Sequence, residues 1–156
     1  DDLGIRLEMV GGIPMWEASP MYRHQKAVDQ IRATIKPGPD PQAEEEPCGG
    51  IHAADVYIFF PDGSYKRPDI SIFCKEPEEQ DEAITMVPEA VIEVISKGYE
   101  AKDLEIGPFF YLSQGVKDVV VLNPHTFNVT HFTKNGSNRH DSPTKLTLTC
   151  GYTCTV

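Results

Sequence analysis

Positive charge is scarce in this sequence, as are long apolar runs and paired cysteines. No apolar stretch approaches the roughly 20 residues needed to cross a bilayer, so no membrane partner is expected. The opening residues, DDLGIRLEMV, lack the basic stretch and apolar core of a secretory signal. Cys48, Cys74, Cys150 and Cys154 include no CxxC pair, and the terminal CGYTC has one residue too many for a redox motif. A reduced, cytoplasmic setting is therefore the expectation. Lys and Arg total 14 against 24 Asp and Glu, a formal charge of −10, which opposes a phosphate-backbone partner unless the cations are gathered locally. Much of the acid sits in two runs, EEE at 44–46 and EPEEQDE at 76–82, which read as solvated loops beside prolines. The rest of the chain can then present a basic groove. Lys66, Arg67, Lys97 and Lys102 flank the strands of interest, and Lys134, Arg139 and His140 lie further along. A scatter of solvated surface cations is the plainer alternative.

What remains is ordinary globular material: 156 residues, 40% hydrophobic and 24% charged, fit one domain spanning 1–156 without an internal repeat. Residues 5–17 read as two short strands about Gly11 and Gly12, since paired glycines supply the positive φ of a tight hairpin. Ser19 and Pro20 are a helix cap and a first helical residue, and Met21, His24, Val28, Ile31 and Ile35 recur at helical spacing, predicting a helix over 20–35. Residues 36–50 hold too many prolines and glycines for a regular element and are expected to form a long acidic loop. Two strands, 51–60 and 68–74, are expected to pair as a hairpin across the PDGS turn at 61–64. Residues 90–96, AVIEVIS, are apolar on both alternating faces, as in a central strand covered on both sides. A helix over about 103–114, with Pro108 near its start and Gly115 past its end, leads into a strand at 117–123. Strands at 127–133 and 145–149, separated by the polar turn KNGSNRHDSP, complete an α/β chain that opens on a hairpin and closes on antiparallel strands.

Glu93 is the one ionisable residue within AVIEVIS, where a carboxylate without a partner costs several kcal/mol. It therefore calls for a cation. Asp69 lies 24 residues earlier (93 − 69), after Pro68, on a strand expected to neighbour that of Glu93. Two carboxylates on adjacent strands suit a hard cation such as Mg²⁺ or Mn²⁺, which takes oxygen ligands, engages substrate phosphates and activates water for attack at phosphorus. Metal-dependent phosphodiester hydrolysis is the chemistry they point to. The alternative is that each acid caps a turn or pairs with an arginine such as Arg67.

The blocks LEMVGGIPM, SPMYRHQ, KRPDISIF, VIEVIS and KDLEIGPFFYLSQGVKDVVVLNP, in this order and spacing, resemble the bacterial restriction-endonuclease-like proteins that carry a degenerate PD-(D/E)XK signature. The resemblance covers nearly the whole chain. It implies a mixed central sheet flanked by helices, with Asp69 and Glu93 as metal carboxylates and the backbone carbonyl of Val94 as a further ligand. It also implies DNA as substrate and a homodimer as the assembly. His24, Glu8 and Asp103 match further positions of the pattern and are supporting candidates. A histidine held in the core, an acid on an exposed strand and a helix cap are the respective plain readings. The lysine expected two residues after the glutamate is replaced by Ile95, and the position matching a lysine on the following helix is Gly107. Lys97 and Lys102 are the nearest substitutes for stabilising charge on a phosphate. The missing lysines also admit a nuclease-like module that binds or assembles without cutting, and the acidic exterior admits a hydrolase of a small phosphoester.

The aromatic run Phe109, Phe110 and Tyr111 is assigned to packing rather than to base stacking. Zinc on Cys150 and Cys154 with His131 or His140 fits no common spacing.

Overall fold

The computed structural model describes residues 5–18, 22–38, 48–78, 83–96, 104 and 106–156. Strands β1 (Ile5–Val10) and β2 (Ile13–Ala18) pair antiparallel from Ile5↔Ala18 to Val10↔Ile13. The turn between them puts Gly11 and Gly12 at φ +57° and +79°, a conformation that favours glycine at both positions. Helix α1 (Tyr22–Arg32) buries His24, Val28 and Ile31, one stripe at the spacing the sequence predicts. The predicted cap at Ser19 and Pro20 lies outside the described residues.

Strand β3 (Lys36–Pro37) corrects the expectation of an unbroken loop over 36–50, and residues 39–47 of that segment lie outside the description. The single strand expected over 51–60 divides into β4 (Ile51–Ala54) and β5 (Ile58–Phe59), and a short strand β6 (Tyr65–Lys66) precedes β7 (Ile70–Phe73). Two pairings result where one hairpin was expected. β5 pairs with β6 across the PDGS turn, while β4 pairs antiparallel with β7. β8 (Ala90–Val94) lies antiparallel to β7. After α2 (Gly107–Ser113), β9 (Asp118–Leu122) returns parallel to β8.

β10 (Asn128–Thr133) and β11 (Gly136–Asp141) form a hairpin, so most of the predicted polar turn is itself a strand. β12 (Lys145–Thr147) and β13 (Tyr152–Thr155) pair with each other and not with β10. Three sheets follow among the described residues, ordered β2-β1-β6-β5, β11-β10-β9-β8-β7-β4 and β12-β13-β3. The six-stranded sheet is mixed, with the one parallel pair at its centre.

Every residue of β7, β8 and β9 is buried, as expected for strands covered on both faces. On one face Val28 and Ile31 of α1, with Leu146, Leu148, Cys154 and Val156 of the C-terminal hairpin, cover Ile70, Ile72, Ile92 and Val120. On the other, Tyr111 of α2 with Ile58, Phe60 and Val116 covers Phe73, Val91, Ile95 and Val119. The two helices thus occupy opposite sides of the sheet. Among the described residues no helix is long and apolar enough to cross a membrane. Cys48 and Cys74 form a disulfide, for which the sequence carries no local signal because the two are 26 residues apart. The reducing setting expected from the cysteine spacing made no place for this pair.

Candidate active site

Asp69 stands one residue before β7, and the register Ile70↔Ile92 brings Glu93 opposite it at the next step of the ladder. Both carboxylates are buried, with 4% and 8% of their surface exposed, on or next to two inner strands of the sheet. Asp69 bends back onto the neighbouring strand, where its Oδ2 accepts the Val94 backbone N–H at 2.8 Å. The same oxygen accepts from Nε2 of His24 at 3.1 Å, so α1 reaches the site through its single buried histidine. From the other helix, the Tyr111 hydroxyl donates to Glu93 Oε1 at 2.8 Å. Each helix therefore holds one of the two acids.

Glu8 joins them from the second sheet. It is 1% exposed, and its Oε2 accepts the backbone N–H of Arg67 at 2.9 Å. The pairing Met9↔Tyr65 places Glu8 opposite Lys66 one step on, and opposed residues of an antiparallel pair share a face. Lys66 is 3% exposed, a rare state for a lysine, and its Nζ stands 4.8 Å from the centre of the Tyr111 ring and 5.3 Å from that of Phe110. Burial, with the charges of Glu93, Glu8 and Asp69 and the hydrogen bond to Glu93, holds the Tyr111 phenol well above its usual range. Tyr111 accordingly keeps its proton and donates it in the hydrogen bond to Glu93.

Of the predicted site residues, Asp69, Glu93, His24 and Glu8 are brought together, and the plain reading of Glu8 as an acid on an exposed strand gives way to burial. Arg67 pairs with Asp55, at 2.8 Å. Val94 enters through its N–H, as a donor to Asp69. Lys97, Lys102 and Asp103 lie outside the described residues. Two residues were missed. Tyr111 was assigned to packing, and its ring does pack against Phe60 and Phe110, but its hydroxyl belongs to Glu93. Lys66 was noted only as a flanking cation. Its signal was the alternation of the KRPD block, which sets residue 66 inward once Tyr65 pairs with Met9. Phe109, by contrast, is 74% exposed and not a packing residue.

Donors around the acids are compatible with a hard cation. The acids offer carboxylate oxygens, each ionised carboxylate presenting about four acceptor positions. Oxygen donors from two strands are the set that Mg²⁺ and Mn²⁺ prefer.

Beside α1, a cavity of about 470 Å³ is lined by Arg23, Lys26, His125 and Phe127, with Arg23 Nη1 3.0 Å from His125 Nδ1. Arg23 and Lys26 thus place two cations on the wall of this cavity, and Arg23 precedes His24 in the sequence.

A mixed sheet between two helices, with paired acids on adjacent central strands, is the architecture of the nuclease-like α/β class. The chain matches the family Uma2, described as "Putative restriction endonuclease", over residues 1–149, and it belongs to that family. Its fold is similar to a solved structure described as a "putative nuclease belonging to DUF820" from Anabaena variabilis. That likeness has a TM-score of 0.65 at 18% identity and covers 88% of this chain and 77% of the other. No curated protein matches it.

Proposed function

We propose that the protein is a Mg²⁺- or Mn²⁺-dependent nuclease that hydrolyses phosphodiester bonds of DNA, with Asp69 and Glu93 holding the cation. The observation that carries this reading is the buried cluster in which both acids are fixed by neighbours, Asp69 by Val94 and His24 and Glu93 by Tyr111. A bound divalent ion would supply Lewis-acid polarisation of the phosphate and activation of water. The chain's own residues position and balance it. His24 and the Val94 N–H fix the rotamer of Asp69, and Tyr111 fixes that of Glu93, so no reorganisation is needed when a phosphate arrives. Lys66, held over Tyr111, supplies positive charge to the cluster. Arg23 and Lys26, which line the cavity beside α1, offer cations for the phosphate backbone.

Wild-type protein is expected to nick plasmid DNA in Mg²⁺ or Mn²⁺ and to stop when a chelator is added. Cutting unaffected by chelator would remove the metal from the reading, and no cutting of single- or double-stranded DNA would remove the substrate. A homodimer is the proposed assembly. Exposed Ile106 and Phe109, which lie close together at α2, give it apolar surface to bury. Light scattering at micromolar concentration should give twice the chain mass, and a monomer throughout would exclude the dimer.

A second reading, a module that binds without cutting, is favoured by Gly107 and Ile95 at the two positions where the family resemblance calls for lysine. Metal binding without cleavage of any phosphoester is the outcome that selects it.

A further inference from the structure

Away from the carboxylates, the sulfurs of Cys48, Cys74 and Cys150 all lie within 4.8 Å of one another. They come from three distant parts of the chain: the approach to β4, the residue after β7, and the turn between β12 and β13. Cys48 and Cys74 are bonded to each other, Cys150 carries a free thiol, and all three residues are partly exposed.

Both sides of this corner are built to bring the sulfurs close. The Gly49 N–H donates to the Cys74 carbonyl at 2.8 Å, and a Cβ at Gly49 would lie only 2.8 Å from that oxygen. A Cβ at Gly50, where φ is +60°, would overlap the ring of Tyr152. The CGG run thus lets Cys48 approach β7 and β13 together. Opposite, Asp118 at the start of β9 accepts the Thr149 N–H at 3.0 Å, and the Gly151 N–H donates to the Leu148 carbonyl at 2.9 Å. These bonds fix the turn that presents Cys150.

We propose that, once its disulfide is reduced, this corner binds Zn²⁺ through the three thiolates of Cys48, Cys74 and Cys150, with solvent as the fourth ligand. Tetrahedral zinc–thiolate bonds of about 2.3 Å set sulfurs about 3.8 Å apart, inside the 4.8 Å that bounds the three sulfurs here. Opening takes two electrons and two protons from a dithiol, which becomes a cyclic disulfide and leaves Cys48 and Cys74 as thiols. The three thiols release three protons to solvent as they bind one Zn²⁺, giving a site of charge −1. The ion would tie the β4–β7 edge of the central sheet to the C-terminal hairpin in the reduced chain, as the disulfide ties Cys48 to Cys74 in the oxidised one. Cys154, buried on β13, stands outside the trio.

Co²⁺ titration of the full chain, reduced and oxidised, tests this, because thiolate ligation gives cobalt an intense near-ultraviolet charge-transfer band that carboxylate ligation does not. The reduced wild type should develop the band at one Co²⁺ per chain and lose it to Zn²⁺. The oxidised wild type should lack it, reduced Cys150→Ser, with two thiolates left, should show it diminished, and reduced Cys154→Ser should keep it in full. No band in the reduced wild type, an undiminished band in Cys150→Ser, or its loss in Cys154→Ser would overturn the three-cysteine site. Should Cys150→Ser fail to fold, the reduced and oxidised wild-type spectra decide alone. The carboxylate site is silent in this readout, so the result stands apart from the nuclease reading.

Discussion

Asp69→Asn and Glu93→Gln are each expected to remove metal-dependent cleavage, by about 10³-fold or more, while leaving the chain folded. The size follows from the several kcal/mol that a divalent ion contributes to a phosphoryl transition state, at one tenfold change per 1.36 kcal/mol. Amides are the informative replacements because the acids also serve the fold. Asparagine at 69 keeps an oxygen for the buried Val94 N–H, and glutamine at 93 keeps one for the Tyr111 hydroxyl. Alanine at either position would leave a buried donor unsatisfied, at about 1–3 kcal/mol, and would mix a stability loss with the loss of chemistry. Nicking rates and calorimetric Mn²⁺ titration, with urea unfolding alongside, separate the two. Variants that fold, bind the ion and cut at the wild-type rate would exclude these acids as the metal site.

The acids were legible in the sequence because burial and charge conflict there: a lone glutamate in an otherwise apolar strand has few explanations besides a partner or an ion. The covered central strands, α1 and the glycine hairpin were legible for the same kind of reason, since each has a strong local period or turn signal. Elements whose partners are distant were not. β3 is two residues long and exists because Lys36 and Pro37 meet Thr153 and Tyr152, more than a hundred residues away. β11 reads as a turn because an exposed edge strand has no apolar face to alternate. The convergence of Cys48, Cys74 and Cys150 depends on tertiary approach alone. Likewise the hydroxyl of Tyr111 could not be told from packing, because its partner is 18 residues away on another element.

Lys66→Met is expected to lower cleavage by about 10²–10³-fold with metal binding retained, the usual cost of deleting one preorganised group that stabilises transition-state charge. The case rests on where its ammonium lies. Gly107, the position at which the family resemblance calls for a helix lysine, opens α2 four residues before Tyr111, so a side chain there would share the face that Tyr111 turns to Glu93. Lys66 reaches the same face from β6, over the Tyr111 and Phe110 rings. A positive charge can thus serve the acids from a different strand than the pattern leads one to expect. A purely structural lysine, kept to balance buried Glu8, makes a different prediction. In that case Glu8→Gln combined with Lys66→Met should restore both stability and cutting, whereas a lysine that acts on the phosphate leaves the double variant stable and slow. Gly107→Lys in the Lys66→Met background provides the converse test, because it returns an ammonium to that face from the helix. Recovery of cleavage there assigns the charge to the reaction, and a Lys66→Met single variant that cuts at the wild-type rate would remove Lys66 from it.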